Sequence, residues 1–227
     1  MKTQLFRYLY LLVLGLWAMG SHSLAQTAEN PLKGQRILVF SKTRGYRHSS
    51  IPFGIAAIKL MGRKYGFEVD TTENAERFTE ANLKKYKVVV FLSTTGDVLN
   101  DRQQADFERY IQAGGGYVGV HAATDTEYNW PWYGKMVGGY FASHPGNPNV
   151  QTGTMTVTNK NFPATDSLPN TFQKKDEFYD FKEFNPDVKV LITVDEKSYK
   201  DGKMGDYHPM AWYHEYDGGR VFYTNFG

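Results

Sequence analysis

Four histidines occupy settings from which an imidazole could move protons. His48 lies in a polar loop, His121 closes an apolar run, and His144 and His208 each precede a proline. A following proline pushes the residue before it toward extended backbone, which restricts where that imidazole points. The carboxylates nearest to these positions in motif terms are Asp97, Asp125 and Glu177. Imidazole and carboxyl groups together are the usual equipment of general acid–base chemistry, provided that they meet within hydrogen-bond reach. Taken singly, each histidine reads as a satisfied structural residue, so a site requires convergence.

The stretch that would position them is Gly114-Gly115-Gly116-Tyr117-Val118-Gly119-Val120-His121-Ala122-Ala123-Thr124-Asp125, a glycine turn followed by an apolar strand ending in a histidine. Ligands of open α/β sheets bind in the crevice outside the carboxyl ends of the strands, where His121 and Asp125 would stand. The loop Lys42 to Ser49 carries Arg44, Arg47 and His48 and leads into a helix N-terminus. It suits an oxyanion or a cluster of sugar hydroxyls, and equally a solvated loop with incidental charges. Asp97 follows another strand and either accepts sugar hydroxyls or caps a turn. Trp130 and Trp132, with 16 Tyr and 15 Phe in the chain, allow two readings. One is a core with aromatic cross-strand pairs; the other is a cleft in which a sugar ring's C–H face packs on an aromatic plane.

Stepping along the chain, Gln35 to Phe40 reads as a buried strand, and Ile51, Ile55 and Ile58 mark one face of a helix ended by Gly62 and Gly66. Phe67 to Asp70 and Tyr86 to Leu92 are further strands. Asn100 with Gln103 approaches a capping box, and Phe107, Tyr110 and Ile111 supply the buried stripe of the helix behind it. Strand and helix alternating at this spacing predict an α/β fold, a doubly wound, mostly parallel sheet with right-handed crossovers. From Thr154 onward the runs Met155 to Thr158, Val188 to Val194, Met210 to His214 and Val221 to Thr224 predict an antiparallel β extension, on the same sheet or folded over it. The chain stops at Gly227 directly after a strand-like run, from which a further terminal element is expected.

Composition narrows the function. Lys2 and Arg7, an apolar run from Leu9 to Trp17 and the small residues of Ser23-Leu24-Ala25 read as a secretory signal over residues 1–25, too short for a comfortable membrane span. A linker over 26–34 and one domain over 35–227 follow, with export to the periplasm or the exterior of a bacterium. Without residues 1–25, Lys+Arg falls from 26 to 24 against 24 Asp+Glu. A neutral chain without a basic stripe has no footprint for nucleic acid. With no cysteine, thiolate nucleophiles, disulfides and cysteine metal sites are excluded.

The motifs Gly45-Tyr46-Arg47-His48-Ser49, Gly114 to Asp125, Trp130-Pro131-Trp132-Tyr133, Asp176-Glu177-Phe178-Tyr179 and His208-Pro209-Met210-Ala211-Trp212, with His214 to Val221, resemble the ThuA-like family, named for bacterial trehalose utilisation. The resemblance covers Arg36 to Gly227 and implies the flavodoxin-like, class I glutamine amidotransferase-like fold. Amidotransferases of that fold end the fourth strand in a cysteine nucleophile; this turn carries His121 instead, so thioester chemistry is excluded. The resemblance further implies sugar catabolism, on glycosides first oxidised to 3-keto sugars by a partner dehydrogenase. A C3 ketone acidifies the C2 proton, and the enolate expels the C1 oxygen. Such an elimination needs a base (His121 or His208), an acid (Glu177 or Asp125) and polar stabilisers (Arg47 with His48). Arg44, Asp97, Trp130, Trp132 and His144 complete the expected substrate-binding set. A divalent metal would also stabilise an enolate, and His121, His144, His208 and Glu177 offer the ligand types, although no HxH or HExxH spacing marks a site. The competing readings are a non-catalytic carbohydrate-binding module and a structural or signalling remnant of the fold.

Overall fold

The computed structural model describes residues 31–227, so the expected leader and the linker up to residue 30 lie outside the described residues. The first half alternates as expected: β1 (Arg36–Phe40), α1 (Ile51–Tyr65), β2 (Glu68–Thr72), α2 (Glu80–Leu83), β3 (Val88–Leu92), α3 (Asp101–Gln112) and β4 (Gly116–Val120). Strand pleating sends successive side chains to opposite faces. Leu38, Phe40, Val89 and Phe91 therefore join the core beneath α3, while Ile37, Val39, Val90 and Leu92 meet Ile55 and Ile58 of α1 on the other face. Burial on both faces is what makes these strands continuous apolar runs.

Local signals explain the helix ends. The Asn100 side chain accepts from Gln103 N while the Gln103 side chain accepts from Asn100 N, so both halves of the capping box form. Gly66 ends α1 at a φ of 76°, a left-handed conformation that glycine adopts at little cost. Gly62, expected to share that task, instead lies inside α1, where a Cβ would come within 2.7 Å of the Phe67 carbonyl oxygen.

The second half comprises α4 (Pro131–Val137), β5 (Tyr140–Ser143), β6 (Val150–Val157), β7 (Thr171–Glu177), β8 (Asp180–Lys182), β9 (Lys189–Asp195), β10 (His208–Tyr216) and β11 (Gly219–Thr224). One nine-stranded sheet runs β2-β1-β3-β4-β11-β10-β9-β6-β7, and β5 pairs with β8 in a separate ribbon. The antiparallel extension thus continues the parallel sheet rather than folding over it. β11 inserts parallel beside β4 and antiparallel to β10, joining the two halves. β7, rich in Lys, Gln and Asp, carries almost no apolar alternation and was not expected as a strand. Among the described residues no helix is long and apolar enough to cross a membrane.

Candidate functional site

His121 follows β4 directly and has a φ of 51°. A β-carbon makes that left-handed conformation costly, and such outliers gather at functional turns. The backbone turns sharply into a 3-10 segment, His121–Thr124, and the imidazole is left 3 % exposed beyond the strand end. Its Nδ1 donates to the Asn225 carbonyl oxygen at 2.6 Å, which orients the ring and turns Nε2 toward Glu177. Asn225, just past β11, also donates from Nδ2 to the Glu177 carbonyl and accepts from Tyr179 N. One buried amide therefore holds the β4 turn against the end of β7.

Glu177 is the centre of the cluster. Its Oε2 lies 3.4 Å from His121 Nε2 and 3.8 Å from His48 Nε2; its Oε1 lies 3.5 Å from His144 Nε2 and accepts from Asn149 Nδ2 at 2.7 Å. Burial alone would raise its pKa, but His121, His48, Asn149 and His144 together outweigh it and hold the carboxyl well below the usual range. His144 Nδ1 donates to the Pro145 carbonyl at 2.7 Å, so that ring also turns Nε2 toward the carboxylate. The Tyr179 ring lies 4.4 Å from the His121 ring, its hydroxyl is 3.2 Å from His48 Nε2, and burial drives its phenol strongly upward. His48 Nδ1 is buried without a hydrogen-bond partner.

Asp125 shows the opposite tendency. Burial raises its carboxyl above the ordinary value, only partly offset by the Tyr128 hydroxyl, which donates at 2.6 Å, and by the neighbouring His48 and His121 imidazoles. These groups share an open cavity of about 490 Å³ with Tyr46, Ser49, Phe141 and Asp176 on its walls. Two carboxyls with opposed proton affinities beside three imidazoles can supply an acid, a base and a fixed anion.

Of the residues expected at a site, His48, His121, Asp125, His144 and Glu177 converge here. The others do not. His208 is fully buried behind the cavity wall, with Nδ1 facing Glu196 Oε1 and the Tyr199 hydroxyl and Nε2 on the Tyr179 carbonyl. It supports the Tyr179 backbone and cannot reach a substrate in this cavity. Arg47 turns outward to pair with Glu73 at 2.7 Å, and Arg44 is exposed. Asp97 accepts from Asn129 outside the cavity. Trp130 and Trp132 stack on each other at 5.1 Å and pack on Phe107, with Nε1 bonds to Glu108 and Asp217. Both tryptophans brace α4 against α3. The aromatic walls of the cavity are Tyr46, Phe141 and Tyr179 instead.

Sequence reasoning overlooked Asn149, Phe141 and Asn225, and named Tyr179 only within its motif, without a role. Tyr179 sits in the same Asp-Glu-Phe-Tyr motif as Glu177 and could have been read from it; a lone asparagine past a final strand carries no such signal.

A family model described as ThuA, trehalose utilisation, matches residues 36–227. Among solved structures, a ThuA-like protein from Bacteroides uniformis ATCC 8492 is 28% identical with a TM-score of 0.72, over 87% of this chain and 83% of that one. A ThuA-like protein from Parabacteroides merdae ATCC 43184 is 19% identical with a TM-score of 0.68, over 85% and 79%. A β-galactosidase from Bacillus circulans shares the fold at 10% identity and a TM-score of 0.56, with this chain spanning 28% of it. No curated protein matches the sequence significantly.

Proposed function

Since the chain belongs to the ThuA family of trehalose utilisation, we propose that its cavity cleaves glycosides of the trehalose type that carry a ketone at C3. The observation that carries this reading is that Asp125, whose carboxyl burial raises above its ordinary value, shares one cavity with His48, His121 and His144. His144, the more exposed imidazole at the mouth, takes the C2 proton on Nε2, and the electron pair passes to the C3 oxygen as an enolate. The enolate then returns its electrons to form C1=C2 as the C1–O bond breaks, and Asp125 protonates the departing oxygen. Water added across that double bond gives the free 3-keto sugar. His48, His121 and Tyr179 line the pocket where the enolate charge develops, and Tyr46 and Phe141 offer faces for the sugar ring.

The His144 assignment replaces the expected His208, which is sealed from the cavity, and is preferred to His121 because the His144 side chain is 34% exposed and that of His121 4%. The reading also calls for a sugar dehydrogenase to make the keto substrate. The leader-like composition of residues 1–25 supports export to the periplasm or beyond.

The test is release of free sugar from a panel of disaccharides and their 3-keto derivatives. Keto-disaccharides are expected to turn over and the parent sugars not. His144→Ala and Asp125→Asn should each lower turnover by about 10²- to 10⁴-fold. Binding without conversion of any sugar would replace this reading with a carbohydrate-binding module.

A further inference from the structure

The cluster around Glu177 brings several possible ligand atoms together at separations longer than hydrogen bonds. His121 and His144 both donate from Nδ1 to backbone carbonyls, which turns Nε2 of each ring toward Glu177. They face a carboxylate, itself only an acceptor when ionised, at 3.4 and 3.5 Å. These separations exceed those of charge-assisted hydrogen bonds. Asn149 satisfies Oε1, while Oε2 faces both His121 Nε2 and His48 Nε2, and His48 Nδ1 is buried without a partner. A divalent ion among these atoms would replace the long contacts with coordination bonds.

We propose that His48 Nε2, His121 Nε2 and Glu177 Oε2 hold a divalent first-row transition ion, with a coordination position open toward the cavity. The three ligand atoms lie within 4.8 Å of one another. Ligands about 2.0–2.2 Å from a tetrahedral ion stand roughly 3.4 Å apart, and the carboxylate oxygen lies 3.4 and 3.8 Å from the two nitrogens. The Nδ1 bond from His121 to the Asn225 carbonyl is the outer support that ligating histidines ordinarily have. Two imidazoles and a carboxylate suit zinc, cobalt, iron or manganese better than the hard cations calcium or magnesium. The open position would take water or the vicinal oxygens of a keto sugar. His144, on the other carboxylate oxygen, stays outside the ligand set.

A second grouping, Asp180, Glu196 and His208, has comparable spacing and shows what a saturated cluster looks like. Glu196 accepts from Met204 N and Gly205 N, Asp180 from Lys203 N and Ser143 Oγ, and both His208 nitrogens are engaged. His208 Nδ1 also lies at hydrogen-bond distance from Glu196 Oε1, 2.8 Å, unlike the longer contacts around Glu177.

The experiment reads metal binding and not turnover, so it stands or falls independently of the cleavage reading. Full-length protein stripped with a chelator is titrated with Zn²⁺ by calorimetry and with Co²⁺ by visible absorption. One equivalent per chain is expected, with the intense bands of low-coordinate cobalt. Loss of an outer support alone costs about 10- to 100-fold in metal affinity, so Glu177→Gln and His48→Gln should each weaken Zn²⁺ by more than about 100-fold. Glu177→Gln is nearly isosteric, and its unchanged melting temperature without metal would show that the fold persists. Substoichiometric binding by the wild-type chain, or unchanged affinity in folded Glu177→Gln, would overturn the proposal.

Discussion

Asp125 and Glu177 are both carboxyls on one cavity, yet their surroundings separate them. Asp125 has one strong donor, the Tyr128 hydroxyl, set against burial; Glu177 has an amide and a ring of imidazoles. The Tyr128 bond favours the ionised form of Asp125 and so holds its pKa down. Tyr128→Phe removes that bond and should raise the pKa of Asp125 further. An acid that must be protonated then works to higher pH, so the alkaline limb of the kcat/KM profile for keto-disaccharide cleavage should move upward. A limb that stays in place, or moves down, would remove Asp125 from the role of acid.

At the scale of elements, the loop between β3 and α3 is held by one buried carboxylate. Glu127 Oε1 accepts from Val98 N and Leu99 N, and Oε2 from Gln104 Nε2. Glu127→Ala leaves two buried N–H groups without partners, at about 1–3 kcal/mol for such an orphaned group. Glu127→Gln keeps one carbonyl oxygen for the two backbone donors, and Gln104 can turn its own oxygen to the new amide. Urea unfolding should therefore show a large loss for the alanine variant and a small one for glutamine. Glu127 itself gave no sequence signal, because nothing local says that the loop 98–99 folds over it. What the sequence does reveal is local: apolar runs for β1, β3 and β4, the Asn100–Gln103 box, and a polar residue at the end of an apolar strand for His121. Which partners His121 meets depends on long-range register, and a slip of one residue in a strand reverses its faces. Glu177, at the end of β7 opposite Val150, is brought in by a strand without apolar periodicity. His208, with an equally suggestive sequence context, is turned into the core of β10. Aromatic composition likewise could not tell Trp130, which braces a helix, from Phe141, which lines the cavity.

Across the whole molecule, β10 adds to the strand pairing of β11 a second tie, to the helix that supports the turn at His121. The last carbonyls of a helix lack intrahelical donors, and β10 supplies them to α4: Trp212 Nε1 donates to the Val137 carbonyl at 2.8 Å and His214 Nε2 to that of Met136 at 2.7 Å. In turn α4 holds the turn below His121, through the Tyr133 hydroxyl on the Ala123 carbonyl. Burial lowers the pKa of His214 from 6.5, against the opposing pull of its bond to Met136 and of Asp187. The folded chain thus binds this proton less readily than the unfolded one. Its contribution to stability is complete above the unfolded value near 6.5 and is lost as pH falls from there toward the lowered folded value, at about 1.4 kcal/mol per unit of depression. His214→Gln keeps an amide donor for Met136 and cannot titrate. The urea midpoint of the wild-type chain should fall between about pH 8 and pH 5.5 more than that of His214→Gln, the other histidines being common to both. Parallel curves would mean that the joint between β10 and α4 tolerates a charged imidazole and that acid sensitivity arises elsewhere in the molecule.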